Sequence, residues 1–102
     1  MAYSPIILTK IKTMMQSQIK IINKLGLHAR AAAKFVTLAT QYKSNILLKH
    51  HEKEVNGKSI MGVMMLAAST GTELILIADG VDEQQASDAL IELVNNRFDE
   101  SS

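Results

Sequence analysis

The chain has no cysteine among its 102 residues, which excludes a disulfide frame and any thiolate metal site. A reducing compartment suits such a chain, and a cytoplasmic protein is expected. An excess of charge of one sign is also missing. Eleven Lys and Arg stand against ten Asp and Glu, a formal net charge of +1, which is too little basic excess for a protein whose main task is gripping nucleic acid. No apolar run approaches the roughly 20 residues of a membrane-spanning helix. There is no glycine-rich phosphate loop, because no Gly-Lys-Ser/Thr follows Gly26 at the right distance. Internal repeats and low-complexity linkers are absent. The opening "MAYSPIILTKIKTMM" is not a secretory signal: Ile6 to Leu8 is too short, and the lysines follow it rather than precede it. Residues 1–13 are read as an N-terminal extension or tail, 14–98 as one domain, and 99–102 as a polar C-terminal tail. A domain of that size buries somewhat more than ~60% of its unfolded surface, enough for a two-layer core.

What is present is an alternation of element types. Gln18 to Ile22, "QIKII", is β-branched with period two and reads as a strand. Ala29 to Thr40 reads as a helix with Ala32, Phe35, Val36 and Ala39 on one apolar stripe. Ser44 to His50 is a second strand, and Glu54 to Asn56 a short third. "KSIMGVMML" is a short helix capped by Ser59, with Ile60, Val63 and Met64 expected on one face. At least one of Met61, Met64 and Met65 should be exposed. Glu73 to Asp79, "ELILIAD", is the strongest strand. The longest helix follows, with Asp82 as N-cap and Ala86, Leu90, Leu93, Val94 and Phe98 facing inward. The acids Asp79, Asp82 and Glu83 read as dipole complementation and solvation at that helix start. The link between the second and third strands is too short for a crossover, so they pair as an antiparallel hairpin. Four strands and three helices in the order βαββαβα give an α+β fold, one sheet with helices stacked on one face.

Three histidines are candidates for chemistry: His28, His50 and His51. His50 and His51, read as neighbours on a strand, point to opposite faces and do not converge on a metal. No metal and no cofactor are expected. No Ser-His-Asp arrangement is legible, because a triad is defined in space. His28 differs. It sits where a helix starts, with Arg30 two residues on. Unpaired backbone N–H groups and the positive dipole end favour an anion there. A neutral imidazole is a nucleophile, and a guanidinium holds phosphate oxygens. Spacing alone favours a plain surface histidine beside a helix start, because His-x-Arg is a common tripeptide.

"GLHARAAAKFV" together with "KSIMGVM" resembles HPr, the histidine-containing phosphocarrier family of the bacterial phosphoenolpyruvate:sugar phosphotransferase system. The likeness runs from about Met14 to the end of the last helix. It implies an open-faced sandwich, a four-stranded antiparallel sheet with three helices on one face. It implies a covalent phosphoryl carrier rather than an enzyme: His28 is phosphorylated on Nδ1 by enzyme I, at the expense of phosphoenolpyruvate, and passes the group to an enzyme IIA domain. Arg30 matches the family's active-site arginine. Ser59 matches the serine modified by an ATP-dependent HPr kinase/phosphorylase, and Ile60, Met61 and Met64 match the apolar surface that docks partners. The histidine separates the chain from the Crh type. Ala31 stands where the family most often has proline; alanine is the best helix former, so the helix should survive. The chain is expected to be a monomer with no nucleic-acid or membrane partner. Two alternatives stand beside this reading, a regulatory or nitrogen-type carrier not dedicated to sugar uptake, and a non-catalytic binding module of similar shape.

Overall fold

Alternation of apolar and polar side chains builds the sheet. The computed structural model describes residues 14–102, so the reading of 1–13 as an extension lies outside it. Among the described residues the order is β1 (Met15–Lys20), α1 (Ala29–Ala39), β2 (Asn45–His50), β3 (Lys53–Asn56), α2 (Ile60–Met65), β4 (Glu73–Asp79) and α3 (Glu83–Asn95), closed by a 3-10 turn at Arg97–Asp99. The strands lie in the order β1-β4-β2-β3, and every neighbouring pair is antiparallel. The fold is thus the expected α+β sandwich. In β4, Leu74, Leu76 and Ala78 are buried, while Ile75 and Ile77 between them are half-buried on the sheet's other face. The core closes when Ala31, Ala32, Phe35, Val36 and Ala39 of α1, Val63 of α2, and Ala86, Leu90 and Val94 of α3 pack on that buried face. Each fully buried large aliphatic or aromatic side chain among them contributes about 1.5–3 kcal/mol of transfer free energy.

Three expectations are corrected. The first strand begins and ends earlier than Gln18 to Ile22: its ladder with β4 runs from Met15↔Ala78 to Lys20↔Glu73. Ile21 lies beyond the ladder but still bonds the β4 approach, its N–H donating to Thr72 O at 2.9 Å and its carbonyl accepting from Gly71 N at 2.6 Å. Val63 alone of the predicted α2 stripe is buried; Ile60 and Met64 are exposed. A six-residue helix has under two turns, so one residue suffices to anchor it. The last helix stops at Asn95, and Phe98, although fully buried, belongs to the turn after it.

Asp82 stands at the N-cap position of α3, but its side chain makes no cap bond. Its carboxylate instead accepts from Lys43 N at 2.8 Å, Ser44 N at 2.9 Å and Ser44 Oγ at 2.6 Å. Asp82 therefore ties the α1–β2 loop to the head of α3. The close approach needs Gly80, where a Cβ would meet Ser44 at 2.6 Å. The Ser44 hydroxyl, then the Lys43 amide, hold the Asp82 carboxyl below the ordinary 3.8 of an aspartate. A depressed value in the folded state means stability that is fully present above the unfolded value and lost as pH falls through the folded one. Asp82→Asn should therefore melt lower than wild type at neutral pH, with the gap closing in acid. Thermal melts across that range check this, and a gap constant with pH would show that the carboxylate charge is not involved.

Candidate functional site

The loop before α1 is shaped to present one imidazole. Gly26 has φ +69°, and a Cβ there would lie 2.5 Å from Ala68 O, so only glycine fits this left-handed turn. Leu27 N then donates to Ala68 O at 2.8 Å, and Asn23 Nδ2 donates to Gly26 O at 2.8 Å. These bonds deliver His28 to the N-cap of α1 in an extended conformation, the backbone state that an N-cap requires. Its Nδ1 accepts from Arg30 N at 3.3 Å. Its Nε2 is bonded to Glu100 Oε2. A ring nitrogen that accepts an N–H carries no proton in the neutral ring, so the proton sits on Nε2 and is donated to the carboxylate. The Nδ1 lone pair is left facing the first turn of the helix.

Glu100 is held in its turn, because Oε1 accepts from Asn23 Nδ2 at 3.0 Å. Burial pushes its carboxyl up, but the hydrogen bonds from Asn23 and His28 and the charges of His28 and Lys34 outweigh it, and the net direction is below a glutamate's ordinary 4.5. The carboxylate is therefore ionised at neutral pH. Around it lies a cleft of about 660 Å³ lined by Leu25, His28, Arg30, Lys34, Glu100 and Ser102 among others. Arg30 and Lys34 are four residues apart on α1, hence on one helix face. Lys34 Nζ donates to Phe98 O at 2.9 Å and stands 3.9 Å from Asp99 Oδ2.

His28 and Arg30, named from the sequence, are thus brought together. Lys34, Asn23 and Glu100 were missed. The spacing of Arg30 and Lys34 was available as a signal; Glu100 is 72 positions from His28, and nothing local points to it. Ser59 caps α2 as expected, its Oγ accepting from Gly62 N at 3.0 Å. Beside it Met61 is 71% exposed, with Ile60, Met64 and Met65 also exposed. His50 and His51 do not diverge. His51 leaves the strand at φ 56°, which swings its ring to 4.2 Å from that of His50. Among the described residues no three His, Asp or Glu side chains gather to hold a metal, and no helix is long and apolar enough to cross a membrane.

Fold and site define a class: a small α+β sandwich that presents a single helix-capping histidine beside two cations. Comparison with known proteins identifies the family. The family model for the phosphotransferase-system HPr component phosphorylation site matches residues 15–96. The chain is 58% identical over 84 residues to the phosphocarrier protein HPr of Pseudomonas aeruginosa, covering 81% of this chain and 93% of that one. It is 53% identical over 87 residues to the HPr of Neisseria meningitidis, covering 85% and 98%. The crystal structure of an HPr from Thermoanaerobacter tengcongensis superimposes with a TM-score of 0.83 at 44% identity, covering 86% of this chain and 99% of that one. The chain belongs to the HPr family of phosphocarrier proteins of the phosphotransferase system.

Proposed function

We propose that His28 is the phosphoryl acceptor, charged by enzyme I with a group derived from phosphoenolpyruvate and discharged to an enzyme IIA domain. The observation that carries this reading is the direction of Nδ1, whose lone pair faces the α1 N-terminus while Nε2 is occupied by Glu100. Phosphoryl transfer asks a protein mainly for a positioned nucleophile and for charge to hold the oxygens. Here the nucleophile is in place before any donor arrives. A phosphoryl group on Nδ1 would meet the first-turn N–H groups and the helix dipole. The decisive measurement is acid-labile incorporation of phosphate from phosphoenolpyruvate and enzyme I, mapped to one residue. Label on His28 is expected; label on His50 or His51, or none, would overturn the proposal.

Arg30 supplies the side-chain charge in this reading. It is exposed and lines the cleft, so its removal should leave the fold alone. Arg30→Ala should slow phosphate passage to or from His28 at least tenfold, which is about 1.4 kcal/mol of transition-state stabilisation. Unchanged kinetics in both directions would mean that the helix-end amides suffice.

Ser59 is proposed as a regulatory phosphorylation site, and Ile60, Met61 and Met64 as part of the partner-docking face. Support comes from their exposure on α2, which packs against α1. Flexible, polarizable Met side chains suit one small surface that meets several partners.

A further inference from the structure

The chain holds sulfur in one form only. It has six methionines and no cysteine, so it has no thiol to take an oxidant first. Three of the methionines, Met61, Met64 and Met65, fall together on α2. Spacings of three and four set them on one helix face. That face is turned outward: Met61 is 71%, Met65 59% and Met64 38% exposed, with Ile60 exposed beside them. The core among the described residues includes none of the three. α2 is anchored instead by the buried Val63, by the Ser59 cap, and by Lys53 Nζ, which donates to Met65 O at 2.5 Å. A buried valine, a cap and a bond to a backbone carbonyl are indifferent to what the thioethers carry.

We propose that Met61, Met64 and Met65 form a reversible oxidation site for hydrogen peroxide, and that their sulfoxides weaken docking of the carrier to its phosphoryl donor. This rests on the reading of Met61 and Met64 as part of the docking face. In the step, a sulfur lone pair attacks one peroxide oxygen. The S–O bond forms and the O–O bond breaks. The leaving oxygen keeps the bonding pair, takes the proton shed by the transferred oxygen, and departs as water. The sulfur is oxidised by two electrons and the peroxide is reduced by the same two. A methionine sulfoxide reductase, drawing on a thiol reductant, reverses the change. The sulfoxide is a polar, chiral group where a soft apolar one stood. On the free protein its oxygen stays in water. At a docked interface the same oxygen is buried without a donor, which is costly. Oxidation therefore acts on docking and not on folding.

The test treats the full chain with hydrogen peroxide and maps sulfoxide by peptide mass spectrometry. It then reads the rate of labelling by phosphoenolpyruvate and enzyme I beside a thermal melt, each protein against its own untreated sample. Wild type should gain sulfoxide on Met61 and Met65 first, as the most exposed of the three. It should then label about tenfold more slowly, the loss expected from one unpaired buried acceptor, at an unchanged melting temperature. Methionine sulfoxide reductases, one for each sulfoxide epimer, should restore the rate. Met14, 42% exposed just before β1, is the internal control. It is oxidised in the same treatment and is still present in the combined Met61→Leu, Met64→Leu, Met65→Leu variant, whose rate peroxide should leave at its untreated level. An equal slowing of that variant would overturn the proposal. So would absence of sulfoxide from α2, an unchanged rate in oxidised wild type, or a melting temperature that falls with the rate. Met61→Gln combined with Met64→Gln, a polar replacement made without oxidant, separates the two readings. If it labels as wild type does, the docking reading falls and the proposal falls with it. If it is slow while oxidised wild type is not, the oxidation site alone is lost.

Discussion

His28→Ala should take up no phosphoryl group from phosphoenolpyruvate and enzyme I, while its circular dichroism and melting temperature stay close to wild type. The loss is complete because the nucleophile is removed, and no second group is built to replace it. His50 and His51 are at the β2–β3 turn, outside the cleft at the head of α1. The fold should tolerate the change because His28 is only half-buried and its cap bond from Arg30 N is long at 3.3 Å. Losing an N-cap side chain typically costs about 0.5–2 kcal/mol, and the core residues that hold α1, Phe35 and Val36 among them, are untouched. Labelling followed by peptide mapping, run beside a thermal melt, checks both halves. Residual acid-labile label on another histidine would sink the prediction.

Ser59→Asp should strongly weaken phosphate acceptance by His28 and leave the melting temperature unchanged or slightly raised. The two effects have different origins. At the helix start the added carboxylate replaces a hydroxyl that accepts from Gly62 N, and aspartate is as good an N-cap as serine. Its charge also suits the dipole end. On the outer surface the same charge joins the apolar group of Ile60, Met61 and Met64. A docking partner would have to desolvate it without a counter-charge, which is costly at an interface. A phosphoserine there would add about −1.5 to −2 charges and act in the same direction more strongly. Ser59→Ala should accept phosphate normally, lose about 1 kcal/mol of stability through the missing cap, and resist an ATP-dependent HPr kinase. Labelling rates across a range of salt decide the matter: if Ser59→Asp matches wild type throughout, the electrostatic switch is wrong and Ser59 is only a cap.

The strands and helices were legible in the sequence where local periodicity and tertiary burial agree. β4 runs over Glu73–Asp79 as read from its alternation, because a central strand packed on its buried face enforces a strict period of two. α1 starts at Ala29 as read, since the Gly26 turn and the alanine run give the same boundary. The discrepancies arise where a distant partner decides. β1 is an edge strand, so its extent is set by how far β4 reaches rather than by its own pattern. His51 was assigned to the wrong face because the hairpin turn, not the strand pleat, sets its backbone. Asp82 has the right residue type for a cap, but the α1–β2 loop competes for its carboxylate and offers three donors.

By itself the sequence determined the class of fold, the histidine at the head of α1 and the serine at the head of α2. These follow from interactions spanning only a few residues: helix and strand periods, cap chemistry, and the conformational freedom of Gly26. Tertiary structure alone decided what surrounds the histidine. Glu100 reaches it from beyond α3, Asn23 in the loop before α1 holds that carboxylate, and Lys34 on the second turn of α1 lines the same cleft. Bringing Glu100 back depends on the burial of Phe98 and on three residues held at positive φ. Side chains far apart in sequence become neighbours only when the core closes, and the pKa of Glu100 and the orientation of the His28 ring are set by those neighbours rather than by residue type.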